Sequence, residues 1–223
     1  AMCHYNHLNG VPARLAMDSV YLFDSGGQYT DGTTDITRTV AIGDPGPEAR
    51  RLFTLVLKGH IALARARFPL GTTGTQLDAL ARQYLWREGY DYDHGTGHGV
   101  GVFLSVHEGP QRISKQHNGV ALCSGMIVSN EPGYYREGVF GIRCENLQVV
   151  RPSQTNLGET PMLEFETLTL APFDVRMLDT QRLDLEELEW LNAYHQRVAT
   201  TIGPLLRGSD RDWLWQATQI IVV

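Results

Sequence analysis

Asp24 and Asp35 are two carboxylates whose positions in the sequence allow them to lie close together in the fold. Asp24 closes a short apolar run (VYLFD), and Asp35 lies in a β-branched stretch that begins after the pair Asp31-Gly32. An Asp-Gly pair between strand-forming residues indicates a hairpin. Neighbouring strands lie about 4.8 Å apart, so both carboxylates can reach a common ion. The alternative is that each aspartate only caps a turn, as aspartates beside glycine commonly do.

Three histidines follow within a glycine-rich part of the chain. His94 and His98 occur in HGTGHGVG, and His107 occurs in FLSVHEGP. Histidines four residues apart are typical of zinc peptidases, but that motif needs a helix and an intervening glutamate, and both are absent here. The glycines instead allow the backbone to approach a ligand closely and let the imidazoles point independently. A cluster of this kind favours a site, although a single histidine is usually structural.

Two glutamates stand at the ends of later strand-like segments. Glu131 precedes a Pro-Gly turn in SNEPGYY, and Glu145 lies in the segment 140–150 (FGIRCENLQVV), which we predict to be one strand. Side chains alternate along a strand, so Arg143 and Glu145 share one face and Cys144 takes the other. An Arg143–Glu145 pair can also be a structural salt bridge. Cys144 is expected to be a packed thiol. The sequence contains no G-x-S-x-G elbow, P-loop or Rossmann fingerprint.

The elements that must position these residues mix strands and helices without regular alternation, which predicts an α+β fold. Helical periodicity extends over 48–68. A second helix is expected from Thr75, with Asp78 completing a capping box, to Gly89. Residues 94–101 contain too many glycines for a helix. Strands are expected over 125–130, 140–150 and 163–173, and Asp184 is expected to begin an amphipathic helix, followed by an apolar, Trp-rich end from Asp210.

The composition restricts the function class. The chain has 223 residues, a net charge of −6 and 19 basic against 25 acidic residues, which argues against nucleic-acid binding through bulk positive charge. No apolar run approaches the roughly 20 residues of a membrane helix, so no membrane partner is expected. Three cysteines (Cys3, Cys123 and Cys144) form no disulfide framework or zinc knuckle. We therefore expect a cytoplasmic location.

Five sequence motifs, taken in order, resemble those of the pita-bread metallopeptidases, and within that family those of the Xaa-Pro aminopeptidases (aminopeptidase P). The motifs are FDSGGQYTDGTTDITRT, HGTGHGVG, FLSVHEGP, NEPGYY and GIRCEN. The resemblance runs from about His4 to Phe173. It implies a pita-bread (creatinase/aminopeptidase-like) fold and five ligands of a two-metal centre. These ligands are Asp24, Asp35, His98, Glu131 and Glu145. Such an oxygen-rich set suits two Mn²⁺ ions, with Zn²⁺ or Co²⁺ as alternatives.

The resemblance also implies the reaction and the remaining roles. A hydroxide bridging the two ions would attack the peptide carbonyl before proline, releasing the N-terminal residue from Xaa-Pro peptides. Glu131 would transfer the proton, His107 would stabilise the tetrahedral intermediate, and His94 would line the proline pocket and assist proton transfer. His4 matches a further substrate-facing histidine. Arg143 matches the arginine that orients the metal-bound carboxylates.

The same resemblance sets the expected domain organisation. Residues 1–175 would be the catalytic domain and residues 176–223 a C-terminal helical extension. This extension serves dimerisation in similar longer members, which predicts a homodimer; the alternative is an amphipathic helix that packs on its own domain. Relatives begin well before the equivalent of His4, so the catalytic domain is expected to be incomplete at its N-terminal side. A chain of this extent would leave a half-sheet with an unpaired edge. The missing N-terminal part, as a separate chain, is then an expected partner.

Three alternatives belong to the same fold family. A prolidase-like Xaa-Pro dipeptidase would use the same ligands and differ in the length of peptide accepted. A non-catalytic pita-bread binding module would lack metal ligands, whereas all five are present in this sequence. Members related to creatine amidinohydrolase share the fold without the metal site and are disfavoured for the same reason.

Overall fold

The computed structural model describes residues 13–155 and 158–222, so the expected substrate histidine His4 lies outside the described residues. Twelve β-strands lie within these ranges: β1 Ser19–Ser25, β2 Gln28–Tyr29, β3 Gly32–Thr33, β4 Ile36–Ile42, β5 Arg67–Pro69, β6 Gly97–Gly99, β7 Glu108–Ile113, β8 Ile127–Asn130, β9 Gly133–Arg136, β10 Phe140–Arg143, β11 Asn146–Pro152 and β12 Met162–Thr167. Four α-helices accompany them: α1 Gly46–Ala64, α2 Gly74–Arg87, α3 Leu185–Ile202 and α4 Gly208–Ala217. No helix among the described residues is long and apolar enough to cross a membrane. The mixture of strands and helices confirms the predicted α+β class.

The largest sheet has six antiparallel strands in the order β5-β12-β11-β8-β6-β7. Its central pair, β8 and β11, sets Asn130 opposite Asn146. Glu131 follows Asn130 and Glu145 precedes Asn146, and the strands run in opposite directions. Both glutamates therefore emerge at the same end of the pair.

A separate ribbon of β1 and β4 faces that end of the sheet. Its register places Asp24 opposite Thr37, so Asp35, two residues before Thr37, is on the same side as Asp24. The predicted hairpin is present between these strands, but its position differs. Gly32 already pairs with Tyr29, so the two turn residues are Thr30 and Asp31 rather than the Asp31-Gly32 pair itself.

The prediction of a single strand over 140–150 is wrong. The segment divides into β10, which pairs with β9, and β11, which joins the six-stranded sheet. Between them the amide of Cys144 donates to Pro132 O at 3.2 Å and the amide of Glu145 donates to Thr37 O at 3.3 Å, so the backbone leaves one ladder for another. Cys144 nevertheless enters the apolar core while Arg143 and Glu145 share the other face, as predicted, and both side chains contact Thr37 of the ribbon. The strand expected over 163–173 ends earlier, at the end of β12.

Helices α1 and α2 pack against each other and cover the sheet. The capping box expected from Thr75 to Asp78 is wrong, because Thr73 caps α2 together with Gln76. Asp78 instead accepts hydrogen bonds from Arg82 and from a loop threonine. Gly89 has a φ of +78°, a conformation that glycine adopts without strain, and it follows the end of the helix closely, as predicted.

Helix α3 begins after Asp184, as predicted, with a capping box completed by Glu187. Leu191, Tyr194 and Val198 of α3 enter the same apolar core as α1. The core therefore extends from the central helices into the C-terminal region. The division of the chain at residue 175 stays a prediction.

Candidate metal centre

Ligand atoms of the five predicted metal-binding side chains converge where the β1–β4 ribbon meets the six-stranded sheet. They form overlapping groups whose oxygen or nitrogen atoms all lie within 4.8 Å of one another. One group contains His98, Glu131 and Glu145, and a second contains Asp24, Asp35 and Glu145. Because Glu145 belongs to both groups, it would be placed to offer its oxygens to two ions. A third group joins Asp35, His98 and His107.

His98 is held with one ring nitrogen directed at the carboxylates. Its Nδ1 lies 2.8 Å from the carbonyl oxygen of Gly99, to which it donates. Its Nε2 lies 3.1 Å from Glu131 Oε1 and 3.4 Å from Asp35 Oδ2. Burial lowers the pKa of His98, but the hydrogen bonds to Asp35 and Glu131 outweigh it and raise the pKa to about 10. In the metal-free protein the imidazole is therefore protonated, and its positive charge offsets part of the negative charge of these carboxylates.

Glu145 is the most deeply buried carboxylate of the cluster, with 1% of its surface exposed. Its Oε2 accepts a hydrogen bond from Thr37 at 2.5 Å, whereas its Oε1 has no hydrogen-bond partner among the described residues. Burial, followed by the charges of Glu131 and Asp35, raises the pKa of Glu145 well above its usual range. A buried oxygen without a partner, among other carboxylates, is the environment that a divalent cation would satisfy.

The neighbouring carboxylates differ in their balance of burial and charge. Burial opposes ionisation of Glu131, but the hydrogen bond and charge of His98 hold its pKa below the usual value. Burial raises the pKa of Asp24, and the guanidinium of Arg143 offsets part of that effect. The donor set of four carboxylates and one imidazole therefore fits two hard divalent cations.

Arg143 lies beside the cluster and organises several of its members. Its Nη2 donates to Asp24 at 2.6 Å, its Nε donates to the Thr37 hydroxyl at 2.9 Å, and its Nη1 donates to the hydroxyl of Tyr135 at 2.9 Å. It lies 3.9 Å from Glu131. Its link to Glu145 passes through the Thr37 hydroxyl. The alternative of an Arg143–Glu145 salt bridge is therefore not what the structure contains.

The two described accessory histidines lie on the walls of the same cleft. His94 Nε2 is 2.8 Å from the Tyr135 hydroxyl, and burial lowers the pKa of the His94 ring. The ring of His107 packs edge-on against His98, with centroids 4.3 Å apart. A cavity of about 450 Å³ is lined by both histidines, Glu131 and Arg143. A second cavity of about 360 Å³, lined by Asp35 and Glu145, adjoins it.

Three functional side chains were not identified from the sequence. Thr37 connects Arg143 to Glu145, and Tyr135 connects Arg143 to His94. Ser129 donates to Glu131 Oε1 at 2.9 Å and accepts from the amide of His98 at 2.9 Å. Thr37 had a usable signal, because strand alternation places it on the same face as Asp35. The other two depend on contacts between distant strands.

Two models of one metallopeptidase family match this chain. The model of metallopeptidase family M24 matches residues 1–152, and that of the C-terminal region of peptidase M24 matches residues 161–221. Aminopeptidase P1 of Arabidopsis thaliana is 47% identical over 227 residues, covering 100% of this chain and 35% of that protein. The chain thus spans about a third of the length of the curated relatives it matches.

Two solved structures bear on the fold. X-prolyl aminopeptidase from Caenorhabditis elegans, described as a cytosolic enzyme with a di-nuclear active site, has a TM-score of 0.86 and 44% identity, covering 91% of this chain and 34% of that one. Prolidase from Pyrococcus furiosus has a TM-score of 0.58 and 30% identity, covering 70% of this chain and 42% of that one. These matches confirm the expected pita-bread fold. The chain belongs to metallopeptidase family M24.

Proposed function

We propose that this chain carries the catalytic centre of a dinuclear Xaa-Pro aminopeptidase, which releases the N-terminal residue from peptides with proline in second position. The observation that supports this most directly is that Glu145 belongs to two groups of ligand atoms. Within each group the ligand atoms lie within 4.8 Å of one another. The 47% identity to aminopeptidase P1 over 100% of this chain and the 44% identity to X-prolyl aminopeptidase over 91% of it, against 30% identity to prolidase over 70%, favour the aminopeptidase over the dipeptidase.

Asp24, Asp35, His98, Glu131 and Glu145 would hold two divalent cations, which when bound would supply an activated water and a positive charge for the peptide carbonyl. We propose Mn²⁺ because four of the five donors are carboxylates, with Zn²⁺ and Co²⁺ as the alternatives.

Protein side chains would handle the protons and the substrate. Glu131 lines the cleft beside His98, where it would accept a proton from the attacking water and return it to the proline nitrogen. His107 would donate to the oxygen that becomes negative at the scissile carbonyl. His94 would contact the proline residue, and the Tyr135 hydroxyl orients its ring. Arg143 holds Asp24 and Thr37 in place from outside the ligand set.

The test compares two isosteric variants of the full-length protein reconstituted with Mn²⁺. Glu145→Gln removes a carboxylate from the cluster. Glu164→Gln removes a mostly buried carboxylate on β12 that contacts Arg151 and Ser153 instead. We expect the wild type and Glu164→Gln to bind about two equivalents of Mn²⁺. Glu145→Gln should bind less than about one equivalent of Mn²⁺ tightly. Equal metal content in all three proteins would refute the assignment.

The substrate class is tested by the length of peptide cleaved. An Arg-Pro-Pro tripeptide and an Xaa-Pro dipeptide are incubated with the Mn²⁺-loaded protein, and the released residue is quantified. We expect cleavage of the tripeptide after its first residue. Preference for the dipeptide would indicate the prolidase-like alternative, and metal binding without hydrolysis of either peptide would indicate a binding module.

The broader context extends the same proposal. We propose a cytoplasmic location, as described for the Caenorhabditis elegans relative, and a homodimer. Residues 1–175 would be the catalytic part and residues 176–223 the helical extension. Light scattering of the full-length protein measures the oligomeric state, and a monomeric mass at micromolar concentration would contradict the dimer.

A further inference from the structure

A fully buried arginine lies behind the loop that carries His94 and His98. Arg82, on α2, is 0% exposed. Its Nη1 donates to the carbonyl oxygen of Tyr92 at 2.6 Å, and its Nη2 donates to the carbonyl oxygen of His94 at 2.9 Å. One planar guanidinium group therefore binds two carbonyl oxygens of the loop and fixes their positions relative to each other.

Two carboxylates fix the guanidinium from the other side. Arg82 Nε donates to Asp78 at 2.6 Å, and Nη1 donates to Asp91 at 2.8 Å. Asp91 also accepts from Lys115 at 2.8 Å. A planar fork with several N–H groups can satisfy these acceptors together, whereas a lysine ammonium on its flexible stem cannot.

Ring stacking extends this arrangement into the cleft. The guanidinium carbon of Arg82 lies 3.8 Å from the centroid of the Tyr92 ring. The Tyr92 ring in turn lies 4.8 Å from the His94 ring, centroid to centroid. Arg82 therefore contacts both the backbone of His94 and the aromatic ring against which the His94 imidazole rests.

A second branch of the network connects α2 to the metal side of the cleft. Asp78 accepts from the Thr96 hydroxyl at 2.6 Å, and Tyr92 shares a 2.5 Å hydrogen bond with that hydroxyl. The carbonyl oxygen of Thr96 accepts from the amide of Glu131 at 2.7 Å. The branch from Asp78 thus supports Glu131, while the branch from Arg82 supports His94.

We propose that Arg82 is a positioning residue that sets the His94–His98 loop for substrate binding by clamping the carbonyls of Tyr92 and His94. The inference rests on the proposed function for its effect on peptide cleavage. The clamp itself depends only on the contacts described above. A buried arginine paired with two carboxylates stabilises a fold weakly, so its geometry is better explained by what it positions.

The experiment uses Arg82→Lys in the full-length protein, with Arg151→Lys as the matched control. Arg151 on β11 also makes several contacts, which within the described part of the chain are with Glu164 and Glu166 of β12. Hydrogen–deuterium exchange is followed for the peptide spanning residues 93–99. We expect exchange there to be about tenfold faster in Arg82→Lys and unchanged in Arg151→Lys.

Kinetics and metal binding separate positioning from general stability. In Arg82→Lys we expect KM for the tripeptide to rise about tenfold with kcat within about threefold, because only the Tyr92–His94 end of the loop loses its donor, whereas the amide of His98, in β6, keeps its hydrogen bond to Ser129. Mn²⁺ affinity should stay within about twofold, because lysine can keep the pair with Asp78 and hence the support of Glu131.

Unchanged exchange at residues 93–99, or an increase spread equally over the whole protein, would overturn the proposal. If Arg82→Lys does not fold, Asp91→Asn is used instead, because it weakens the contacts of Arg82 at a partly exposed position. Exchange at residues 93–99 should then rise about threefold. No rise at these residues would also overturn the proposal. A wild type that shows no peptidase activity refutes the proposed function alone, because the exchange result is independent of turnover.

Discussion

The Thr37 hydroxyl is the most informative single group to remove, because it connects the buried cluster to Arg143. It accepts from Arg143 Nε at 2.9 Å and donates to Glu145 Oε2 at 2.5 Å. Thr37→Val keeps the shape of the side chain but leaves the Arg143 guanidinium and the buried Glu145 carboxyl without this hydrogen-bond partner. Thr39 is the matched control, since it lies two residues further along β4, is equally buried, and its hydroxyl contacts only backbone atoms of Arg143.

The magnitudes follow from these contacts. A hydrogen bond to a charged group contributes roughly 1.5–3 kcal/mol, and one between neutral groups roughly 1 kcal/mol. Thr37→Val should therefore lower the free energy of unfolding of the metal-free protein by about 2–3 kcal/mol, and Thr39→Val by about 1–2 kcal/mol. Groups that orient metal ligands typically change affinity by about 10–100-fold, so Mn²⁺ affinity should fall about tenfold or more in Thr37→Val alone.

Isothermal titration with Mn²⁺ and urea unfolding measure the two quantities on the same samples. Equal Mn²⁺ affinity in both valine variants would refute the reasoning, because it would mean that Glu145 keeps its orientation without the threonine. A larger loss of affinity in Thr39→Val would refute it as well.

Three further predictions concern stability and reactivity. Burial, aided by the charge of Arg38, lowers the pKa of His60 to about 3 and that of His195 to about 4. The unfolded chain therefore takes up these protons first, and between pH 7 and pH 5 each histidine should cost about 2 kcal/mol of stability, measured by urea unfolding. Gly59→Ala should destabilise the protein by about 3 kcal/mol despite the higher helix propensity of alanine, because its Cβ would lie 2.0 Å from a carbonyl oxygen of α2; a neutral thermal shift would contradict this. Burial raises the pKa of the Cys144 thiol to about 12, so iodoacetamide mapping should label Cys123 in the native protein and Cys144 only after unfolding.

Several elements could be predicted because their signals are local. The capping residue Asp184 and the amphipathic pattern after it predict α3, and Gly89 predicts the end of α2. Both depend on interactions within one or two turns of the chain. The failure over 140–150 has a non-local cause. The segment 140–150 has continuous strand propensity, and only pairing with two different partners divides it at Cys144 and Glu145.

In the candidate site, too, the types of the residues could be read from the sequence, but their contacts could not. The order and chemistry of the carboxylates and histidines indicate a metal centre without any coordinates. The contacts of Arg143 do not follow from that order, because the partner of a guanidinium depends on which strand faces it. The fold places Arg143 opposite Asp24 and Thr37, so its link to Glu145 is indirect.

The sequence by itself determined the kind of donor atoms available, the α+β class and the absence of a helical zinc motif, because these depend on residue identity and short-range periodicity. Only the tertiary structure decided that Thr37 and Glu145, 108 residues apart, share a hydrogen bond, and that a guanidinium from α2 holds the His94 loop. Such contacts depend on how the ribbon, the sheet and α2 pack together. That packing is a property of the whole chain, so no local pattern contains it.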